Sequence, residues 1–242
     1  RLARHHDVYL CCLSDGPTDP RHIEHLARFC AHIEVIRVPR WRILLKLSTA
    51  LFSRLPFQVL YFHHANAQRA IDRLIRDHRP DHVLCQLVRT TEYLRDHPTL
   101  PKTLDYMDTL SRGMERRTQN APIHLRPLFQ AETRRLIRYE NLMFDLFDHA
   151  VIISAQDREY IYHPLRDQVK VIPNGVDMQH FAPVKEDLRY DLLFTGNMNY
   201  PPNIDSVVFL VQKVLPIVRR TRPGTNLLIS GVDPSTEVKE LA

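Results

Sequence analysis

Two carboxylates three residues apart, Asp105 and Asp108 in "LDYMDTLSRGMERR", are the first residues of this chain whose types and spacing suit chemistry. They follow a short β-branched run, so they are expected at the carboxyl end of a parallel strand, the edge where α/β sheets place ligands. A carboxylate pair there suits acid–base work or a metal. An aspartate ahead of Thr-Leu-Ser equally suits a helix cap. Further on, Gly196 and Gly231 each follow an apolar run, in "LLFTGNMNY" and "NLLISGVD". Without a Cβ, such positions let backbone amides approach a ligand, and a following helix N-terminus can hold a phosphate. Neither has the spacing of a dinucleotide fingerprint or a P-loop. Between these lies "VIPNGVD", where Asn174 and Gly175 predict a tight turn after Pro173 and Asp177 predicts a local hydrogen bond or cap. An interdomain hinge is the plainer role for that stretch.

Other constellations are excluded more firmly. No HExxH, no GxSxG and no CxxC pair occurs, and the paired histidines, His5 with His6 and His63 with His64, have no third ligand in view, so no metal site is expected. The four cysteines, Cys11, Cys12, Cys30 and Cys85, lie in or beside apolar stretches and read as buried thiols of a reducing compartment. Net charge is +5, a mild bias toward anionic partners. The densest basic stretch, residues 111–140, holds seven arginines against three glutamates. It suits either an ion-paired solvated helix or an anion-facing surface. No helix-turn-helix, finger or interleaving of aromatic and basic residues accompanies that charge, so nucleic acid is not an expected partner.

The elements that must position these residues follow from hydrophobic periodicity. Short β-branched runs at about 8–14, 32–38, 82–88, 102–107, 150–155 and 169–173 alternate with amphipathic segments. This predicts an α/β fold with parallel strands and crossover helices. "ANAQRAIDRLIRDHRP" carries Ala70, Ile71, Leu74 and Ile75 on one stripe. In "RPLFQAETRRLIRYENLMFDLFDHA" the expected inward residues are Leu136, Tyr139, Leu142, Met143 and Leu146. A boundary is expected near 180–190. It divides a domain spanning 1–180 from the start of a second, 181–242, with a helix over about 202–220. Residues 39–63, with Trp41, Leu44, Leu45, Leu47, Leu51 and Phe52 flanked by Arg40, Arg42, Lys46 and Arg54, form a basic amphipathic segment. It is suited to an anionic membrane surface or to packing on its own domain.

Taken together, "VKVIPNGVDMQHFAP", "LLFTGNMNYPPNIDSVVFLVQKVLPIVRR" and "NLLISG" resemble retaining glycosyltransferases of family 4, and among them the bacterial sugar transferases of exopolysaccharide biosynthesis. The resemblance implies a GT-B architecture of two Rossmann-like domains, the first lacking its initial strand and the second only begun. It implies transfer of a sugar, with retention, from a nucleotide diphosphate donor to a lipid-linked or glycan acceptor. No cofactor is implied, and the expected location is the cytoplasm, at the inner face of the membrane. Gly196, Asn197, Asn174, Gly175 and Gly231 would belong to the donor side, and Arg112, Arg116 and Arg117 would meet acceptor phosphate. Asp105 or Asp108 would stand where many relatives present a histidine. Pro202 and Asn203 replace the lysine–glycine pair of many relatives. The resemblance also implies that a glycine loop ahead of Arg1 and a glutamate motif beyond Ala242 are missing, so that this segment alone is inactive. The alternatives are a GT-B-like nucleotide-sugar epimerase, or a non-catalytic domain for binding or assembly.

Overall fold

The computed structural model describes residues 2–38, 53–179, 181–182 and 190–241, in two compact units, Arg1–Gly175 and Val176–Ala242. Residues 39–52, which carry most of the amphipathic segment considered as a membrane surface, lie outside the described residues.

The first unit holds two parallel sheets. Strands β1 (Tyr9–Ser14) and β2 (His32–Arg37) pair with each other, and β3 (Val83–Gln86), β4 (Lys102–Asp105), β5 (His149–Ile152) and β6 (Lys170–Val171) form a four-stranded sheet in sequence order. Register is regular, with Cys85 opposite Leu104 and Asp105 opposite Val151. The expected α/β architecture of parallel strands and crossover helices is therefore present, although the strands stop earlier than the apolar runs that predicted them. The run at 82–88 ends as a strand at Gln86, because Leu87 turns to positive φ and Val88–Leu94 continues as a 3-10 helix.

The helix Ala65–His78 packs against both sheets. Ala67 and Ala70 meet Ile36 and Tyr93, while Ile71 and Ile75 pack on the larger core around Leu104, Leu136, Met143 and Ile152. Each such fully buried aliphatic side chain contributes about 1.5–3 kcal/mol by leaving water. The long helix Arg126–Leu146 supplies Leu136, Tyr139 and Met143 to that core as expected. Leu142 departs from expectation and is exposed, since it continues the outer row through Arg134 and Arg138 at four-residue spacing.

The second unit is a parallel βαβ unit. Strand β7 (Leu192–Thr195) pairs with β8 (Leu227–Ser230), and Asp191 and Asn226 clamp its amino edge by exchanging backbone-to-side-chain hydrogen bonds of 2.8 and 2.9 Å. The crossover is one helical run in three parts: Pro201–Phe209, a wider π turn at Leu210–Val214, and Leu215–Thr221. The π turn has a local cause. Pro216 donates no hydrogen bond and its ring presses on the preceding turn, which widens to make room. Met198, Val207 and Val238 form the core, with Phe194, Ile204 and Ile229 against it.

Candidate functional site

At the carboxyl edge of the larger sheet the backbone is strained at two adjacent strands. Leu87, directly after β3, has φ 71° and ψ 133°, and Met107, two residues after β4, has φ 60°. Side-chain-bearing residues reach this region at a cost of about 1–2 kcal/mol each, and such strain gathers at functional edges. Hydrogen bonds hold both in place. The Leu87 amide donates to the Asp105 carbonyl at 2.8 Å, the Asp108 amide closes a three-residue turn on the Tyr106 carbonyl at 2.7 Å, and the Met107 amide donates to Asp105 Oδ1 at 3.1 Å.

This turn separates the two aspartates in role. Asp105 spends one carboxylate oxygen on its own turn. Asp108 stays open to solvent, and its pKa is raised, chiefly by partial enclosure of the carboxyl, with Arg89 opposing the rise and Asp157 adding to it. The cap expected of Asp108 falls elsewhere. Helix Leu110–Asn120 is capped by Glu140, whose Oε1 accepts the Ser111 amide at 3.1 Å. Glu140 is 2% exposed, and burial lifts its pKa from 4.5 to about 7 against those backbone bonds. About two turns earlier on the same helix, Glu132 caps Phe57–Phe62 in the same manner, accepting the amides of Phe57 and Gln58 at 3.0 and 3.2 Å. One helix thus lends two buried carboxylates to the amino ends of two others, where the helix dipole favours negative charge.

Arg89, Asp157 and Thr109 complete this edge. The Arg89 guanidinium lies 5.6 Å from the Phe62 ring centre, and Thr109 Oγ1 donates to the Asp157 carbonyl at 2.9 Å. Asp157 was legible as the end of a capping pattern, "SAQD", with Ser154 Oγ accepting its amide at 3.0 Å. Arg89, Leu87 and Met107 left no sequence signal. The three arginines proposed for acceptor phosphate separate: Arg112 pairs with Glu115 at 2.8 Å and stacks over Tyr160 at 4.6 Å, whereas Arg116 and Arg117 are exposed.

Asn174 and Gly175 follow β6 at the same carboxyl edge, both exposed. The expected tight turn is absent: residues 172–177 form no turn, no described glycine has positive φ, and a Cβ on Gly175 would meet nothing within 4 Å. The local bond expected of Asp177 is present, since its Oδ1 accepts the Gln179 amide at 3.0 Å.

In the second unit the two loop glycines touch. A Cβ on Gly231 would stand 1.7 Å from the Gly196 carbonyl oxygen, so glycine is required there by backbone meeting backbone. The ladder continues past the strands, the Gly196 amide donating to the Ser230 carbonyl at 3.1 Å and the Met198 amide to that of Val232 at 2.9 Å. Asn199 donates to Asn197 Oδ1 at 2.9 Å, and Pro201 and Pro202 have no N–H. The amide cradle expected of this loop and helix start therefore narrows. Among the described residues the Asn197 amide is left without an acceptor, beside the Asn197 and Asn203 side chains.

Cys11, Cys12 and Cys85 are not activated, since burial raises the pKa of each. Burial pushes Cys11 and Cys85 up to about 11, with Glu34 adding at Cys11. His63 and His64 face Gln68 and the Tyr61 carbonyl, and among the described residues no group of three or more His, Cys, Asp or Glu could hold a metal ion. Two shallow hollows, one at His32, Arg73 and Asp77 and one at Asp81, His97 and Pro101, lie at amino edges of strands, away from the ligand edge of such sheets.

No family model matches the chain, and no curated protein matches it. Among solved structures it is similar to UDP-GlcNAc 2-epimerase from Neisseria meningitidis bound to UDP-GlcNAc, at 13% identity and TM-score 0.40, over 98% of this chain and 68% of that one. Identity at that level specifies no side-chain correspondence.

Proposed function

We propose that the protein is a glycosyltransferase of the GT-B group, resembling retaining family 4, which moves a sugar from a nucleotide diphosphate donor to a lipid-linked or glycan acceptor. The observation that carries this reading is the carboxyl edge of β7 and β8. There Gly231 packs on Gly196 and leaves Asn197 facing outward ahead of a helix, in the segment where the sequence resembles that family. In this reading Gly196, Asn197 and Gly231 shape the donor side, with Asn174 and Gly175 on the chain that leads toward it. Cleavage of the bond from anomeric carbon to phosphate develops charge on the leaving diphosphate. The free Asn197 amide and the neighbouring side-chain amides supply fixed dipoles to meet it.

In the first unit Asp108 is the better candidate than Asp105 for contact with the transferred sugar or acceptor, because the residue is exposed and its carboxylate does not hold the Met107 amide. Arg116 and Arg117 are available for acceptor phosphate, while Arg112 serves its ion pair with Glu115. Asp108→Asn is expected to lower turnover about a hundredfold with the fold intact. Asp105→Asn is expected to act mainly on stability.

Calorimetric titration of UDP, GDP and their sugar conjugates tests the donor assignment. Selective binding of one nucleotide series, weakened by Asn197→Ala, is expected. An absence of binding to either series moves the non-catalytic binding or assembly domain to the front. Proton NMR of the bound donor series then separates transferase from epimerase, since an epimerase interconverts the free nucleotide sugar with no acceptor present.

A further inference from the structure

The helical hairpin of the first unit, Leu110–Asn120 and Arg126–Leu146 joined through Ile123–Leu125, sorts its charges by direction. Its three glutamates are consumed internally: Glu132 and Glu140 are buried caps, and Glu115 is bonded to Arg112 and Tyr162. Four of its seven arginines point outward, and its one aspartate, Asp145, pairs with His163 at the end away from the tip. Arg116, Arg117, Arg134 and Arg138 are exposed and meet no carboxylate among the described residues. At the tip, Ile123 is 80% exposed, with Leu125 and Leu128 at 36% and 42%.

We infer that this hairpin tip is a docking surface for an anionic lipid bilayer. Exposed aliphatic side chains gain by entering the interface, where about 0.8 kcal/mol accompanies each buried CH₂. Arg116 and Arg117, at the carboxyl end of the first helix and so nearest the tip, match the negative surface potential of anionic lipid. Charge complementarity thus selects the occupant, and the aliphatic tip favours lipid over nucleic acid, whose phosphates and bases give Ile123 nothing to bury against. The hairpin is a different stretch of sequence from residues 39–52, and this surface stands or falls independently of the sugar-transfer reading.

Co-sedimentation of the whole chain with phosphatidylcholine vesicles, with and without phosphatidylglycerol, tests it. Binding is expected only with the anionic lipid and is reversed by salt. Arg116→Gln with Arg117→Gln is expected to lower partitioning roughly twenty- to thirty-fold, each basic residue near such a surface being worth about fivefold. Ile123→Asp is expected to lower it by about tenfold. All three positions are exposed, so unchanged thermal melts verify the fold. The inference is overturned by equal binding to both vesicle types, by binding to neither, or by binding that survives all three substitutions and disappears with Trp41→Glu. Salt-sensitive retention by duplex DNA in place of vesicles would also overturn it.

Discussion

At the carboxyl edge of β7 and β8, Gly231 lies so close to Gly196 that a Cβ would stand 1.7 Å from a backbone oxygen, whereas at β3 and β4 two side-chain-bearing residues, Leu87 and Met107, hold φ of 71° and 60°. The first edge uses glycine where space demands it, and no described glycine there has positive φ. The second accepts positive φ without glycine, and tertiary hydrogen bonds hold it. A glycine in a loop therefore does not report strain, and strain does not announce itself by glycine. The second edge also leans on carboxylates buried behind it, and the first has none among the described residues.

The largest test of this contrast is Gly231→Ala. With backbone on the far side of the clash, the second unit is expected to lose about 3–5 kcal/mol in urea denaturation, because the nearest atoms are those of the Gly196 carbonyl, which no side-chain rotation can move aside. Little change would mean that the two loops separate readily. Gly196→Ala is expected to cost less, since its nearest neighbour is the end of the Asn203 side chain.

Glu140→Ala ranks next, at about 2–4 kcal/mol, by leaving the buried start of a helix without its acceptor. Its titration gives a sharper signature. Glu140 binds its proton more tightly in the fold, about 7 against 4.5, so the stability it contributes is present below about pH 4.5 and is lost as pH rises through about 7. That loss is on the order of 3 kcal/mol. Glu140→Gln should flatten the pH dependence of unfolding over this window. A dependence of unchanged slope would assign it to another group.

Met107→Gly probes the strained turn. Relief of positive φ, offset by the freedom glycine gains in the unfolded chain, is expected to leave stability within about 1 kcal/mol of the parent. Acceptor-dependent turnover should nevertheless fall as Asp108 loses its fixed direction. A loss of several kcal/mol would place Met107 among the core instead. The smallest effect belongs to Gly175→Ala. With open space around it and no positive φ, a change of less than about 0.5 kcal/mol is expected in the same denaturation assay.

Much of the fold was legible in the residues. The alternation of β-branched runs and amphipathic stripes placed nearly every strand, because side-chain period is a property of neighbours in sequence. Strand ends were overestimated where an apolar run passed into another conformation, as at Leu87 and Val88. The inward face of Arg126–Leu146 was read one residue too wide at Leu142, since periodicity marks an apolar stripe and the width of the facing groove decides how much of it is covered. Asp105, Asp108, Gly196 and Gly231 could be picked out by type and by their place after strands. The division of labour between the two aspartates could not.

By itself the sequence determined the parallel α/β plan, the positions of the loop glycines and the excess of arginine over glutamate in residues 111–140. Tertiary structure alone decided that Gly231 makes room for the Gly196 carbonyl, that Met107 is strained, and that Glu132 and Glu140 turn inward while Arg134 and Arg138 turn out. The reason is distance along the chain. Glu140 meets its amide 29 residues away and Glu132 meets one 75 residues away, and no local pattern records a partner so remote.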